Sequence, residues 1–325
     1  MNKETRRAAL ACLASCMLGA TLGPAQAADP TWPTRPVRLL VGFPGGSTPD
    51  MAARALADPL SRVLGQPVIV ENKPGASGNI AADQVAKATD DHTLGVVING
   101  NLTSAKLLNP KLSYDPQKDL SEISLLATAP LVLVAAPQLP DGAAFFAAMR
   151  QAGAKANYGS VGAGSVAHLG MELLKSKSGI APVHVPYSGN PAVVTAIIGE
   201  QVQMALVPPG VAMPQVQAGK LKAIGVTSGR SALVPSVAPL ADAGVKDFNL
   251  EVWTALVGPA GLSKAAQARL AAEVPRILRE PETRTRLLNQ GWQAVGTSSE
   301  GLHQRVKDET ALLGGIIRAQ NISVD

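Results

Sequence analysis

From residue 37 onward, short apolar runs alternate with stretches whose apolar residues recur at helical spacing. Val37–Val41 reads as a strand, Asp50–Leu64 as a helix and Val68–Val70 as a second strand. Gly78–Lys87 is helical in period, and Thr93–Ile98 follows as a third strand. A βαβαβ beginning predicts a parallel sheet with helices on both faces, and such sheets take ligands at the carboxyl ends of their strands.

Near Leu131 the same order restarts. Strands are expected at Leu131–Ala135, Asn157–Ser160, Val183–Val185, Val202–Val207 and Leu221–Val226. Helices are expected between them at Gly142–Gln151, Val166–Lys175 and Pro191–Gly199. From about Asn249 the pattern turns to Ala/Arg-rich helices, and Thr297-Ser298-Ser299-Glu300 reads as a capping box opening the last of them. The expected organisation is two α/β lobes: residues 28–130 in the first, 131–245 inserted as the second, and 246–325 returning to the first.

The first 27 residues change the picture of where the chain works. A charged start, an apolar run and Ala25-Gln26-Ala27 read as a secretory signal peptide cleaved after Ala27, which places the mature chain in the periplasm. Two rival readings are a lipobox ending at Cys16 and twin-arginine export through Arg6-Arg7; continued apolar sequence past Cys16 weighs against the first. Both cysteines, Cys12 and Cys16, lie in this leader, so the mature chain has no disulfide, thiolate nucleophile or cysteine metal site. Removing the leader's Lys3, Arg6, Arg7 and Glu4 lowers the formal charge from +5 to +3. No basic run marks a nucleic-acid partner, and no later apolar run is long enough to span a membrane.

Candidate chemistry concentrates in three loops. "GFPGGSTPD" joins the first strand to the first helix; either Thr48 or Asp50 is expected to cap that helix, and free backbone N–H groups there suit an anion. The P-loop ending and spacing are absent, which argues against a nucleotide. "YGSVGAGSVAHL" repeats the arrangement in the second lobe, with Gly159, Gly162 and Gly164 around Ser160 and Ser165. "YSGN" closes a strand and opens a helix with a hydroxyl and an amide. A serine hydrolase using Ser160 or Ser165 with His168 is the enzyme alternative, but H-E-x-x-H and G-x-S-x-G are both missing. The chain is therefore read as a binding protein with no catalytic group, metal or cofactor.

The segments "RPVRLLVGFPGG", "DMAARALADPLSRVLGQPVIVENKPGASGN", "LSYDPQKDL", "YGSVGAGSVAHLGMELL", "HVPYSGNPAVVTAIIGEQVQ" and "WTALVGPAGLSKAAQARL" resemble, in order, the Bug family. These are periplasmic substrate-binding proteins of tripartite tricarboxylate transporters. The resemblance implies a two-lobed, type II-like Venus-flytrap α/β fold that holds a small organic acid between lobes and docks on two membrane subunits. A ligand sensor for a signalling receptor is the other reading, and a monomer is expected. Carried over by position, the implied ligand contacts are Gly45, Gly46, Ser47, Thr48 and Asp50, with Asn99, Asn101 and Thr103 after the third strand. In the second lobe they are Ser160, Gly162, Gly164, Ser165 and His168, with Tyr187, Ser188, Gly189 and Asn190.

The chain departs from the family pattern in three places: Pro49 displaces the first loop's glycine pair, His92 replaces a tyrosine, and Gln201–Val207 carries no acid. None of the three loops contains Lys or Arg. Helix N-termini offset only about one carboxylate's charge. We therefore expect a mono- or dicarboxylate with an apolar or hydroxylated body, rather than a tricarboxylate or an amino acid.

Overall fold

The computed structural model describes residues 32–322. The leader, its cleavage site and both cysteines lie outside the described residues.

Two mixed sheets organise the chain. The first has six strands in the order β11-β4-β10-β3-β1-β2: β1 Val37–Val41, β2 Val68–Asn72, β3 Thr93–Ile98, β4 Leu120–Pro130, β10 Glu251–Pro259 and β11 Gln293–Ala294. The second has five in the order β7-β6-β8-β5-β9: β5 Val132–Ala135, β6 Asn157–Ser160, β7 Val183–Pro186, β8 Met204–Val207 and β9 Lys222–Val226. The helices are α1 Thr48–Leu64, α2 Asn79–Ala86, α3 Asn99–Leu102, α4 Ser104–Leu108, α5 Gly142–Ala152 and α6 Val166–Ser178. They continue with α7 Asn190–Ile198, α8 Pro209–Gln217, α9 Lys264–Arg279, α10 Pro281–Asn289 and α11 Ser299–Ala319.

β1 runs parallel to both β2 and β3, as the opening pattern predicts. The rest of that sheet does not. β10 pairs antiparallel with β3 and β4, where the sequence reading expected only helices beyond Asn249. The reason is burial: eight of the nine β10 positions are buried, and two register shifts against β4 break any two-residue alternation. A strand covered on both faces loses the period that would reveal it.

Apolar spacing explains how the helices seat. In α1, Ala52, Leu56, Leu60 and Leu64 fall four residues apart and join Leu39 and Val41 in one buried cluster. Burying each such leucine stabilises the fold by about 1.5–3 kcal/mol. The last helix opens one residue later than the expected capping box. Ser298 caps it by accepting the Gly301 N–H at 3.2 Å, while the Thr297 hydroxyl instead accepts the Leu125 N–H at 3.1 Å.

The chain passes between the sheets at Leu131 and again between β9 and β10. These crossings are tied together at Thr227, which is fully buried. Its hydroxyl accepts the Leu131 N–H at 2.8 Å and donates to the Leu250 carbonyl at 2.6 Å. Its N–H donates to the Leu131 carbonyl at 2.9 Å, and its carbonyl accepts the Leu250 N–H at 3.1 Å.

Candidate functional site

The first loop leaves β1 and enters α1 through Ser47, which holds the extended conformation of a cap but makes no capping bond through its side chain. Neither Thr48 nor Asp50 is the cap, so that expectation is corrected. Asp50 stands in the first turn instead, and its carboxylate reaches back to accept the Gly46 N–H at 2.9 Å. The same carboxylate accepts from Asn72 Nδ2 at 2.9 Å and Arg54 Nε at 3.0 Å. Burial pushes its pKa up, but the bonds from Arg54, Asn72 and Gly46 together hold it below the ordinary value. The anion that this loop binds is its own side chain. Gly45 and Gly46 are exposed, whereas the Ser47 hydroxyl is buried with no partner among the described residues.

The second loop has no such acid. Gly162 and Gly164 adopt φ of +120° and +77°, and a Cβ on them would lie 2.1 Å from Ser77 Oγ and 2.7 Å from Leu108 Cδ1. Both therefore need glycine, for conformation and for close approach to the other lobe. Ser165 caps α6: its hydroxyl accepts the His168 N–H at 3.3 Å and donates to the Gly162 carbonyl at 2.7 Å. The first N–H groups of a helix have no intrahelical acceptor, so those of Val166 and Ala167 have no partner within α6.

The histidines brace this loop from beneath. His168 Nδ1 accepts the Gly164 N–H at 3.1 Å, which makes Nδ1 the bare ring nitrogen. Ser160 Oγ lies 2.6 Å from Nε2 of His184. The His168 and His184 rings stack at 4.1 Å, and Tyr158 continues the stack at 5.0 Å from His184. Burial lowers the pKa of His168 and, with the neighbouring His168, pulls His184 down to about 4. Near neutral pH both imidazoles are uncharged packing groups.

Other expected positions serve as joints. Asn190 Nδ2 donates to Thr48 Oγ1 at 2.9 Å, linking the two lobes directly. Gly189 faces Pro44, Tyr187 packs against Gly159, and Ser188 is exposed. Asn99 Nδ2 donates to Glu309 Oε1 at 2.6 Å and to the Glu251 carbonyl at 3.2 Å. The Thr103 hydroxyl donates to the Asn99 carbonyl at 2.7 Å.

A cavity of about 410 Å³ lies between the lobes. From the second lobe it takes Ala163, Gly164 and Ser165; from the first, its polar wall is Ser77, Asn79, Asn101 and Asn109 and its apolar wall includes Ile98 and Leu108. The lobes meet at its rim, where Ser77 Oγ donates to the Ala163 carbonyl at 3.1 Å and Ser104 Oγ to the Gly164 carbonyl at 2.7 Å. Asn101, Gly164 and Ser165 are thus brought together; Gly45–Asp50 do not line this cavity. Sequence reasoning passed over Ser77 and Asn79. Their signal was the glycine-flanked run Gly75-Ala76-Ser77-Gly78-Asn79, of which Gly78 and Asn79 were read as a helix start and the whole as part of the family resemblance.

The description "Tripartite tricarboxylate transporter family receptor" matches residues 52–322. The chain belongs to this family. MatC of Rhodopseudomonas palustris, solved with bound malate, is 32% identical with a TM-score of 0.83, over 88% of this chain and 100% of that one. Rpa4515 of the same organism, solved with adipate, is 28% identical with a TM-score of 0.86, over 90% and 99%. The periplasmic binding protein BugD is 26% identical with a TM-score of 0.84, over 90% and 99%. The fold is therefore the two-lobed fold of the periplasmic binding proteins, and this Bug-family chain is a binding protein rather than an enzyme. Among the described residues, no helix is long and apolar enough to cross a membrane.

Proposed function

We propose that this Bug-family protein captures a small mono- or dicarboxylate in the cavity between its lobes and delivers it to the membrane subunits of a tripartite tricarboxylate-type transporter. One observation carries the reading: a 410 Å³ hollow formed by both lobes, walled by neutral hydrogen-bond donors and aliphatic groups, with no Lys, Arg, Asp or Glu in its lining. Its size suits a small ligand. Amide and hydroxyl donors, with the two available N–H groups at the start of α6, favour a carboxylate oxygen without adding a full positive charge. A tricarboxylate would bury charge that no lining cation offsets. Malate in MatC and adipate in Rpa4515 support the same class. The protein acts as a monomer, exported by its leader and cleaved after Ala27.

Calorimetric titration with a panel of mono-, di- and tricarboxylates tests the proposal. One-to-one binding with roughly micromolar Kd is expected for a mono- or dicarboxylate, because a few charge-assisted hydrogen bonds remain after ordering costs. Tightest binding by citrate or glutamate would overturn the ligand class. Absence of binding across the panel would overturn the function.

A further inference from the structure

The orientation of one cavity-lining amide is fixed by its neighbours, and the chain of reasoning starts at a backbone group. The Ile98 N–H donates to Oδ1 of Asn101 at 3.2 Å. A backbone N–H has only a donor to offer, so that atom of Asn101 is the oxygen. Its amino nitrogen then donates to the Ser77 carbonyl at 3.0 Å and to Oδ1 of Asn79 at 2.8 Å. Tyr114, itself buried, brings its hydroxyl to 2.8 Å from the same Asn79 oxygen. Asn101 fixes the Asn79 atom that it meets as the oxygen, the single Tyr114 hydroxyl proton being shared with the Asn101 carbonyl at 2.9 Å; Asn79 then has its –NH₂ left over, and that group takes no protein acceptor among the described residues. Asn79 lines the cavity from the first lobe, opposite Gly164 and Ser165 of the second.

We propose that Asn79 is the specificity-determining residue of the cleft, its locked –NH₂ selecting acids that carry a second oxygen acceptor over monocarboxylates of equal length. The inference rests on the proposed carboxylate-binding function and narrows it to dicarboxylates and their oxo or hydroxy relatives. One acceptor meets the N–H groups that open α6, and the other meets Asn79 across the cavity. The Asn79 amide cannot swing round to accept here, because rotation would set its nitrogen against the amino group of Asn101. The same arrangement disfavours a ligand ammonium, which would face a donor instead of an acceptor.

Asn79→Asp is the sharpest probe. It keeps the oxygen that Asn101 donates to, and so the fold, while turning the leftover donor of this cavity-lining residue into an acceptor. Titrations compare adipate with hexanoate, and succinate with butyrate, in the wild type and the variant, with far-UV circular dichroism as the folding control. The wild type is expected to prefer the diacid by about 10- to 100-fold, the range of a hydrogen bond to a charged group. In Asn79→Asp both acids are expected to weaken because the cavity gains a negative charge, and the diacid more, so that the preference collapses to near unity or inverts. Asn79→Leu, which removes the donor without adding charge, is expected to erase the preference as well. Equal weakening of both acids in both variants would overturn the inference while leaving the function intact. So would a wild type that binds acids without preferring diacids. A wild type that binds no acid overturns the functional reading first, and this inference with it.

Discussion

The two glycine-rich loops look alike in sequence and end differently. Each follows a strand, opens a helix and offers backbone N–H groups to an anion. In the first, Asp50 folds back onto Gly46 and is itself the anion, locked by Arg54 and Asn72. In the second no carboxylate takes part; Ser165 lines the cavity and caps its helix, two imidazoles support the loop, and the first helical N–H groups follow Ser165 with no partner within the helix. An acid in the first helical turn decides whether such a loop is filled from within or left for a ligand.

The largest effect expected from breaking this contrast is that of Asp50→Ala. It strips a partner from Gly46, Asn72 and Arg54 at once, and should cost about 2–3 kcal/mol of stability in denaturant unfolding. Acid affinity of the folded protein should hardly change. A large affinity loss at unchanged stability would place the ligand on the first loop after all.

Acid titration should separate the loops next. His184 is pulled from 6.5 to about 4 in the fold, so between those values the unfolded chain binds the extra proton and stability falls as pH drops. Two and a half pKa units correspond to about 3 kcal/mol, discounted to about 2 because the ring is partly exposed. Asp50 works in another window. Its carboxyl is lowered from 3.8, so its contribution persists above that value and disappears only at more acidic pH. Melting temperature followed from pH 7 downward should therefore fall first through the second loop. His184→Asn should flatten the decline between pH 6.5 and 4; an unchanged slope would count against the buried imidazole as its source.

Gly164→Ala should weaken acid binding by about 1–2 kcal/mol, from the left-handed backbone and the new contact with Leu108 across the lobes. The equivalent change at Gly46, where a Cβ meets nothing within 4 Å, should leave binding alone. Smallest of all, Ser165→Ala should cost about 1 kcal/mol of stability as a lost helix cap, which urea unfolding measures.

Much of the fold was legible because apolar periodicity survives wherever one face of an element meets solvent. β1, β3 and β6 fall where the pattern puts them, and α1, α6 and α7 begin within two residues of their expected starts. β4 and β10 were hidden because burial on both faces erases alternation. Caps were misread by short steps, Ser47 for Thr48 or Asp50 and Ser298 for Thr297, since several hydroxyls stand side by side and only geometry chooses among them. In the site, the second loop was readable from its glycines. Asn79 was not: its role depends on Ile98, Asn101 and Tyr114, which come from separate stretches of chain and fix one another only after folding.

Thr227 bears on the mechanics of the whole molecule. Because one buried residue joins both inter-sheet crossings through hydroxyl, N–H and carbonyl, the segments there share a single pin. Rotation about an axis through that pin keeps all four bonds, whereas sliding one lobe along the other would have to break them. A swing of the lobes about this pin parts the rims at Ser77–Ala163 and Thr48–Asn190 while leaving the crossings joined.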